Sequence, residues 1–216
     1  MSKRYWEWES PFDLNREDCA LLIVDMQKGF VDQGACLEVP MAREQVPAIA
    51  DFSRFCREKG IPVYKSVFAQ APDFCYPFYW NKNRERGLLL DDGTWRFEPG
   101  SEECEMTDEL AEQGDDTVFP KYGYDCFANT DLDTWLQDQG RRTVIICGTV
   151  VNWCVDSTVR SAYHRGYDVV VLADAVSGYD HAGLTGEQWV SAELDLFGEG
   201  FAKVLSCKEA EEELGK

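Results

Sequence analysis

The run from Thr143 to Val155 constrains the fold more than any other stretch. Thr143 to Ile146 is apolar and β-branched, the pattern of a strand covered on both faces. It breaks at Gly148, and a helical pattern resumes from about Asn152 to Arg165. Strand, tight turn and helix in that order lift one side chain to the carboxyl edge of a parallel sheet. They also aim the helix's first N–H groups at whatever sits there. Cys154 falls in that first turn, where a helix terminus favours the anion of a thiol. Cys154 is therefore expected to be a nucleophile that ionises more easily than a free cysteine.

The remaining chain supplies a sheet for it. Cys19 to Val24 is a continuous apolar run ending at Asp25, a position where open α/β sheets collect their sites; a turn or cap role fits that aspartate equally. Apolar residues at helical spacing run over 40–59 and stop at Gly60, followed by a strand from Ile61 to Phe68. A short helix is expected over Glu105 to Glu112, then a strand, Thr117 to Phe119, that leads to Pro120 and Lys121. Thr130 or Asp131 caps a helix to Gln139, and Tyr167 to Ala173 is another buried strand. A helix over 183–197, a strand from Phe201 to Ser206 and a helix from Lys208 to Leu214 close the chain. The expected fold is a single three-layer α/β/α domain over 18–216, Rossmann-like, with a six-stranded, mainly parallel sheet. Residues 1–17 are a polar, tryptophan-bearing arm laid on that body. Residues 69–103 carry three prolines and a dense aromatic set with no periodicity, and so are expected to be a long loop. A loop of that length reads as a lid or wall over a site that can also touch a second subunit, with a plain surface excursion as the alternative.

Composition narrows the function. A length of 216 residues suits one domain, and a net charge of −19 excludes a nucleic-acid partner. No apolar run approaches a membrane span and the N-terminus lacks a secretion signal's apolar core, so the expectation is a cytoplasmic protein without a membrane partner. Nine cysteines include no CxxC pair, and Cys19, Cys147 and Cys207 read as small hydrophobes inside strands. With two histidines and no glycine-rich phosphate loop after the first strand, neither a metal nor a cofactor is expected.

Asp25, Lys121 and Cys154 thus lie at or just after the ends of strands that should be neighbours. In that company an aspartate can take the thiol proton, a lysine can hold the thiolate, and the acid so formed can protonate a leaving nitrogen. The chain resembles the isochorismatase-like cysteine hydrolases, a group that includes nicotinamidases, N-carbamoylsarcosine amidase, ureidoacrylate amidohydrolases and isochorismatases. The resemblance rests on Ala20 to Gln27, on Lys121 to Leu132, on Gly148 to Val155 and on Asp174 to Ser177. It implies an Asp25–Lys121–Cys154 triad, a thioester-type acyl-enzyme and a cis Thr149–Val150 peptide. That bond would aim the N–H groups of Val150 and Cys154 at an oxyanion. It also implies a dimer or tetramer.

Departures from the family pattern refine the expectation. Ser66 to Gln70 replaces the Asp-x-His of metal-dependent nicotinamidases, and Val151 stands where threonine is common. Gln70 and Arg86 look like positions that isochorismatases use for a carboxylate, though an arginine in a loop is more often a solvated charge. Phe30, Trp80, Trp95, Tyr124 and Trp153 are candidate pocket walls, or plain core packing. The reading that results is cleavage of a C–N bond in a small amide, carbamoyl or ureido compound, because family members that hydrolyse a vinyl ether can dispense with the thiol. Vinyl ether hydrolysis is the alternative, and a non-catalytic binding or assembly module is the second.

Overall fold

The two most apolar runs of the chain become adjacent central strands, β1 (Cys19–Val24) and β4 (Thr143–Thr149), with Cys19 opposite Thr143 and Val24 opposite Gly148. Every residue of both is buried, as strands covered on two faces require. The computed structural model describes residues 12–71, 77–111 and 113–215, with backbone alone for 77–80. Beyond β1 lie β2 (Val63–Phe68) and then β3 (Thr117–Lys121); beyond β4 lie β5 (Asp168–Ser177) and then β6 (Lys203–Leu205). All five pairings are parallel.

Side chains alternate between the two faces of the sheet. Leu21, Ile23, Ile145 and Cys147 pack beneath α2 (Pro40–Glu58) and α7 (Cys207–Leu214). Leu22, Val24, Val144 and Ile146 pack against α4 (Leu132–Asp138), α5 (Asp156–His164) and α6 (Gly186–Gly200). Two small helices, α1 (Lys28–Val31) and α3 (Pro77–Glu85), lie toward the carboxyl ends of the strands. Local sequence sets the helix ends. α2 stops where Gly60 takes φ +73 and the Ile61 N–H returns to the Cys56 carbonyl at 2.9 Å. Reciprocal capping boxes, Thr185 with Gln188 and Ser206 with Glu209, start α6 and α7.

The chain winds outward through β1, β2 and β3, then returns to the centre and winds the other way through β4, β5 and β6. A crevice opens outside the carboxyl ends of the strands where the winding reverses, here between β1 and β4. Asp25 follows one of those strands and Cys154 follows the other.

Several expectations need correction. The helix expected over Glu105 to Glu112 is replaced, over its described residues 105–111, by a 3-10 turn, Asp108–Leu110, which follows another at Glu102–Cys104. The stretch 69–103 is not structureless, since α3 lies within it. Cys207 opens α7 and is not part of a strand; β5 runs on to Ser177, well past Ala173. Asp131 sits at the N-cap of α4 without a side-chain bond there, and the Thr130 hydroxyl donates to the Cys126 carbonyl instead. Of the expected arm, residues 1–11 lie outside the described residues, while Phe12 and Leu14 pack on the α2 face of the core. Among the described residues no helix is long and apolar enough to cross a membrane.

Candidate active site

Asp25 is the first residue beyond β1. It is fully buried and adopts φ +51, a left-handed conformation uncommon outside glycine. Lys121 is the last residue of β3, two strands away and equally buried. At about 4.8 Å per strand the gap between them is roughly 10 Å. The lysine stem spans it, with its ammonium 5.6 Å from the centre of the Phe68 ring. That ammonium stands 2.8 Å from Asp25 Oδ2 and donates to the Gly123 carbonyl at 2.7 Å and to Cys154 Sγ at 3.3 Å. Two of these are directed hydrogen bonds, and the third is a contact held by charge. Asp25 Oδ1 accepts from the Ser66 hydroxyl at 2.7 Å, whereas Oδ2 takes the ionic contact but no directed hydrogen bond.

Cys154 does not sit in an α-helical first turn. Val151–Val155 form a single π-helical turn between β4 and α5, and the Trp153 and Val155 N–H groups both donate to the Val150 carbonyl at 3.1 Å. The preceding Thr149–Val150 peptide is cis. Gly148 makes the approach possible. It has φ +111, and a Cβ there would lie 2.2 Å from the Val24 carbonyl oxygen. Only glycine lets the turn that carries Cys154 lie this close to the end of β1.

Electrostatics correct one expectation outright. Burial pushes the Cys154 thiol well above its ordinary 9.0; Lys121 pulls it down, and Asp25 pushes it up again. The free thiol is therefore harder to ionise than an exposed one, the opposite of what a helix terminus alone suggests. Burial also opposes the charge on Lys121, but the Asp25 carboxylate and the Cys154 sulfur outweigh it and hold the lysine above its usual 10.5. A permanently charged lysine beside a protonated thiol and a carboxylate with one spare oxygen is an arrangement in which a proton can pass from sulfur to oxygen.

These groups form the floor of a cavity of about 450 Å³. Phe30, Leu37, Val39 and Phe68 make an apolar wall, and Tyr124 and Trp153 stand beside the cysteine. Arg86 enters from the end of α3, with its guanidinium 5.6 Å from the centre of the Trp153 ring and hydrogen-bonded to Asn83 Oδ1 at 3.3 Å. Across the mouth, Tyr179 and His181 come from the loop after β5, the imidazole edge-on to Trp153 at 5.5 Å. Asn152 fastens that loop by two bonds to the Tyr179 backbone, at 3.0 and 3.2 Å. Among the described residues no group of three His, Cys, Asp or Glu side chains is placed to hold a metal ion.

Of the residues singled out in the sequence, Asp25, Phe30, Arg86, Tyr124, Thr149, Val150, Trp153 and Cys154 line this cavity, and Lys121 lies directly behind it. Gln70 does not reach it. That side chain is buried behind the wall, donating to the Arg96 carbonyl at 2.9 Å and accepting from Asn83 Nδ2 at 3.0 Å. Trp95 packs instead on the small cluster of Phe68, Leu88 and Phe97. The Trp80 side chain lies outside the described residues. Ser66, Asn83, Tyr179 and His181 were not foreseen. The last two could have been, since they follow the strand next to β4.

An isochorismatase domain model matches residues 19–208. The chain belongs to the isochorismatase-like cysteine hydrolase family. It is a hydrolase on that ground. Ureidoacrylate amidohydrolase from Pseudomonas syringae pv. syringae is 31% identical over 185 residues, covering 76% of this chain and 73% of that protein. A cysteine hydrolase structure from Pseudomonas syringae pv. phaseolicola superposes with a TM-score of 0.80 at 28% identity, over 96% of this chain and 99% of that one. N-carbamoylsarcosine amidase from Thermoplasma acidophilum gives 0.70 at 26% identity, over 88% and 96%.

Proposed function

We propose that this hydrolase cleaves the C–N bond of a small amide, carbamoyl or ureido compound through a Cys154 acyl-enzyme. One observation carries the reading: a single buried ammonium touches both the Asp25 carboxylate and the Cys154 sulfur at the floor of a cavity. As substrate docks, the thiol proton passes to Asp25 Oδ2 and the sulfur attacks the carbonyl carbon. Lys121 holds the thiolate, and the Val150 and Cys154 N–H groups face the developing oxyanion. Each such donor is worth roughly 3–4 kcal/mol of barrier. The Asp25 acid then protonates the leaving nitrogen. Water, deprotonated by the same carboxylate, resolves the thioester.

Arg86 makes no ion pair with a carboxylate among the described residues, so it is available to a substrate carboxylate, with the planar part of the substrate against Trp153 and Phe30. The likeness to ureidoacrylate amidohydrolases supports a carboxylate-bearing ureide. An ammonia-release screen over small amides, carbamoyl compounds and ureides, run alongside isochorismate, tests the reading. Turnover of one of the nitrogen compounds, lost in Cys154→Ala, is expected. A Cys154→Ala protein that still turns over isochorismate points to vinyl ether hydrolysis. Arg86→Leu should raise KM about tenfold or more for a carboxylate substrate and leave that for a neutral amide unchanged.

A further inference from the structure

Ser66 holds residue 25 at three points. Its hydroxyl donates to Asp25 Oδ1 at 2.7 Å and accepts from the Asp25 N–H at 3.2 Å, while its carbonyl accepts from the same N–H at 3.1 Å. Both residues are fully buried, and the sheet register sets Ser66 opposite Val24, on the strand between Asp25 and the strand that carries Lys121. Asp25 leaves β1 in a left-handed conformation, so strand geometry does not fix where its carboxylate points. The serine hydroxyl does. With Oδ1 occupied, Oδ2 faces the ammonium and lacks a directed hydrogen bond.

We propose that Ser66 is a positioning residue for the reaction, selecting Asp25 Oδ2 as the oxygen that exchanges a proton with the Cys154 sulfur. This rests on the Asp25–Lys121–Cys154 reading above. No bond to serine forms or breaks, and its own proton stays on its oxygen; one proton moves between Sγ and Oδ2. Besides Ser66, the groups facing the carboxylate are Lys121 from β3, Cys154 from the π-helical turn, and the thiols of Cys126 and Cys104.

The test is alkylation of Cys154 by iodoacetamide in the full chain, followed by peptide mass spectrometry from pH 5 to 9. It compares wild type, Ser66→Ala, Ser66→Thr and Asp25→Asn, and it needs no knowledge of the substrate. Ser66→Ala should react roughly tenfold or more slowly at neutral pH, because an unanchored carboxylate no longer presents Oδ2 to the sulfur. Ser66→Thr, which keeps the hydroxyl, should restore the rate. If alanine leaves too little folded protein, Ser66→Cys, a weak donor of similar size, carries the same expectation. A Ser66→Ala protein with wild-type rate, beside a slow Asp25→Asn, would overturn the role of Ser66 and leave the triad standing. So would equal slowing in alanine and threonine. An Asp25→Asn protein as fast as wild type would remove the triad reading itself, and this inference with it.

Discussion

At the scale of the residue, Lys121 and Asp25 form an ion pair that neither could leave alone. Both are wholly buried at 2.8 Å, so removing the cation strands a carboxylate away from water. Lys121→Met should therefore cost about 3–5 kcal/mol of stability, read from urea unfolding. Wild type should show none of this loss below the ordinary lysine range. The folded lysine sits above 10.5, so the pair's contribution is complete below that value and is lost progressively as pH climbs from there to the higher folded one. Cys154 should show the matching behaviour. Its proton is held well above 9.0, so on the proposed mechanism alkylation at neutral pH should proceed through the small fraction ionised by transfer to Asp25. A second rise in rate is expected above pH 9; a profile already flat from pH 8 would mean that burial does not raise the thiol.

Position let the sequence single out Asp25, Lys121 and Cys154, because each closes or follows a strand. Ser66 stayed hidden because its partner is set by β1–β2 register, which no local pattern records. Gln70 was misplaced for a similar reason. It follows β2 past its end, where its N–H bonds the Phe97 carbonyl and its side chain turns toward Arg96 and Asn83.

At the scale of the element, the turn after β4 depends on close backbone contact. A methyl group at residue 148 would sit 2.2 Å from the Val24 carbonyl oxygen, in a conformation that side chains resist. Gly148→Ala should force β1 and β4 apart, lowering the thermal midpoint and slowing Cys154 alkylation together. A variant with wild-type values for both would show that the turn has slack. A second contact of this kind joins Gly178 to Gly186, where a Cβ on the first would meet the carbonyl oxygen of the second at 2.1 Å. It folds the loop carrying Tyr179 and His181 back over the start of α6. The strand cores and capped helices were legible because hydrophobic period and capping residues are local signals. The π-helical turn and the paired 3-10 turns were not, because tertiary contacts rather than periodicity decide them.

At the scale of the molecule, six parallel strands and the reversal between β1 and β4 account for where the cavity lies. The alternation of strand and helix signals made that architecture readable in outline. Strand order was inferred only loosely, since it is a property of crossovers and not of any one segment. Order matters, because the ammonium comes from β3, a five-residue strand at the rim of the sheet that among the described residues pairs on one side only and contains Pro120, which has no N–H to donate. Rim strands peel before centres melt. In mild denaturant the sulfur should therefore fall silent while circular dichroism still reports an intact helical coat. Reactivity and helicity lost at one common midpoint would mean that the rim is as firmly fastened as the middle.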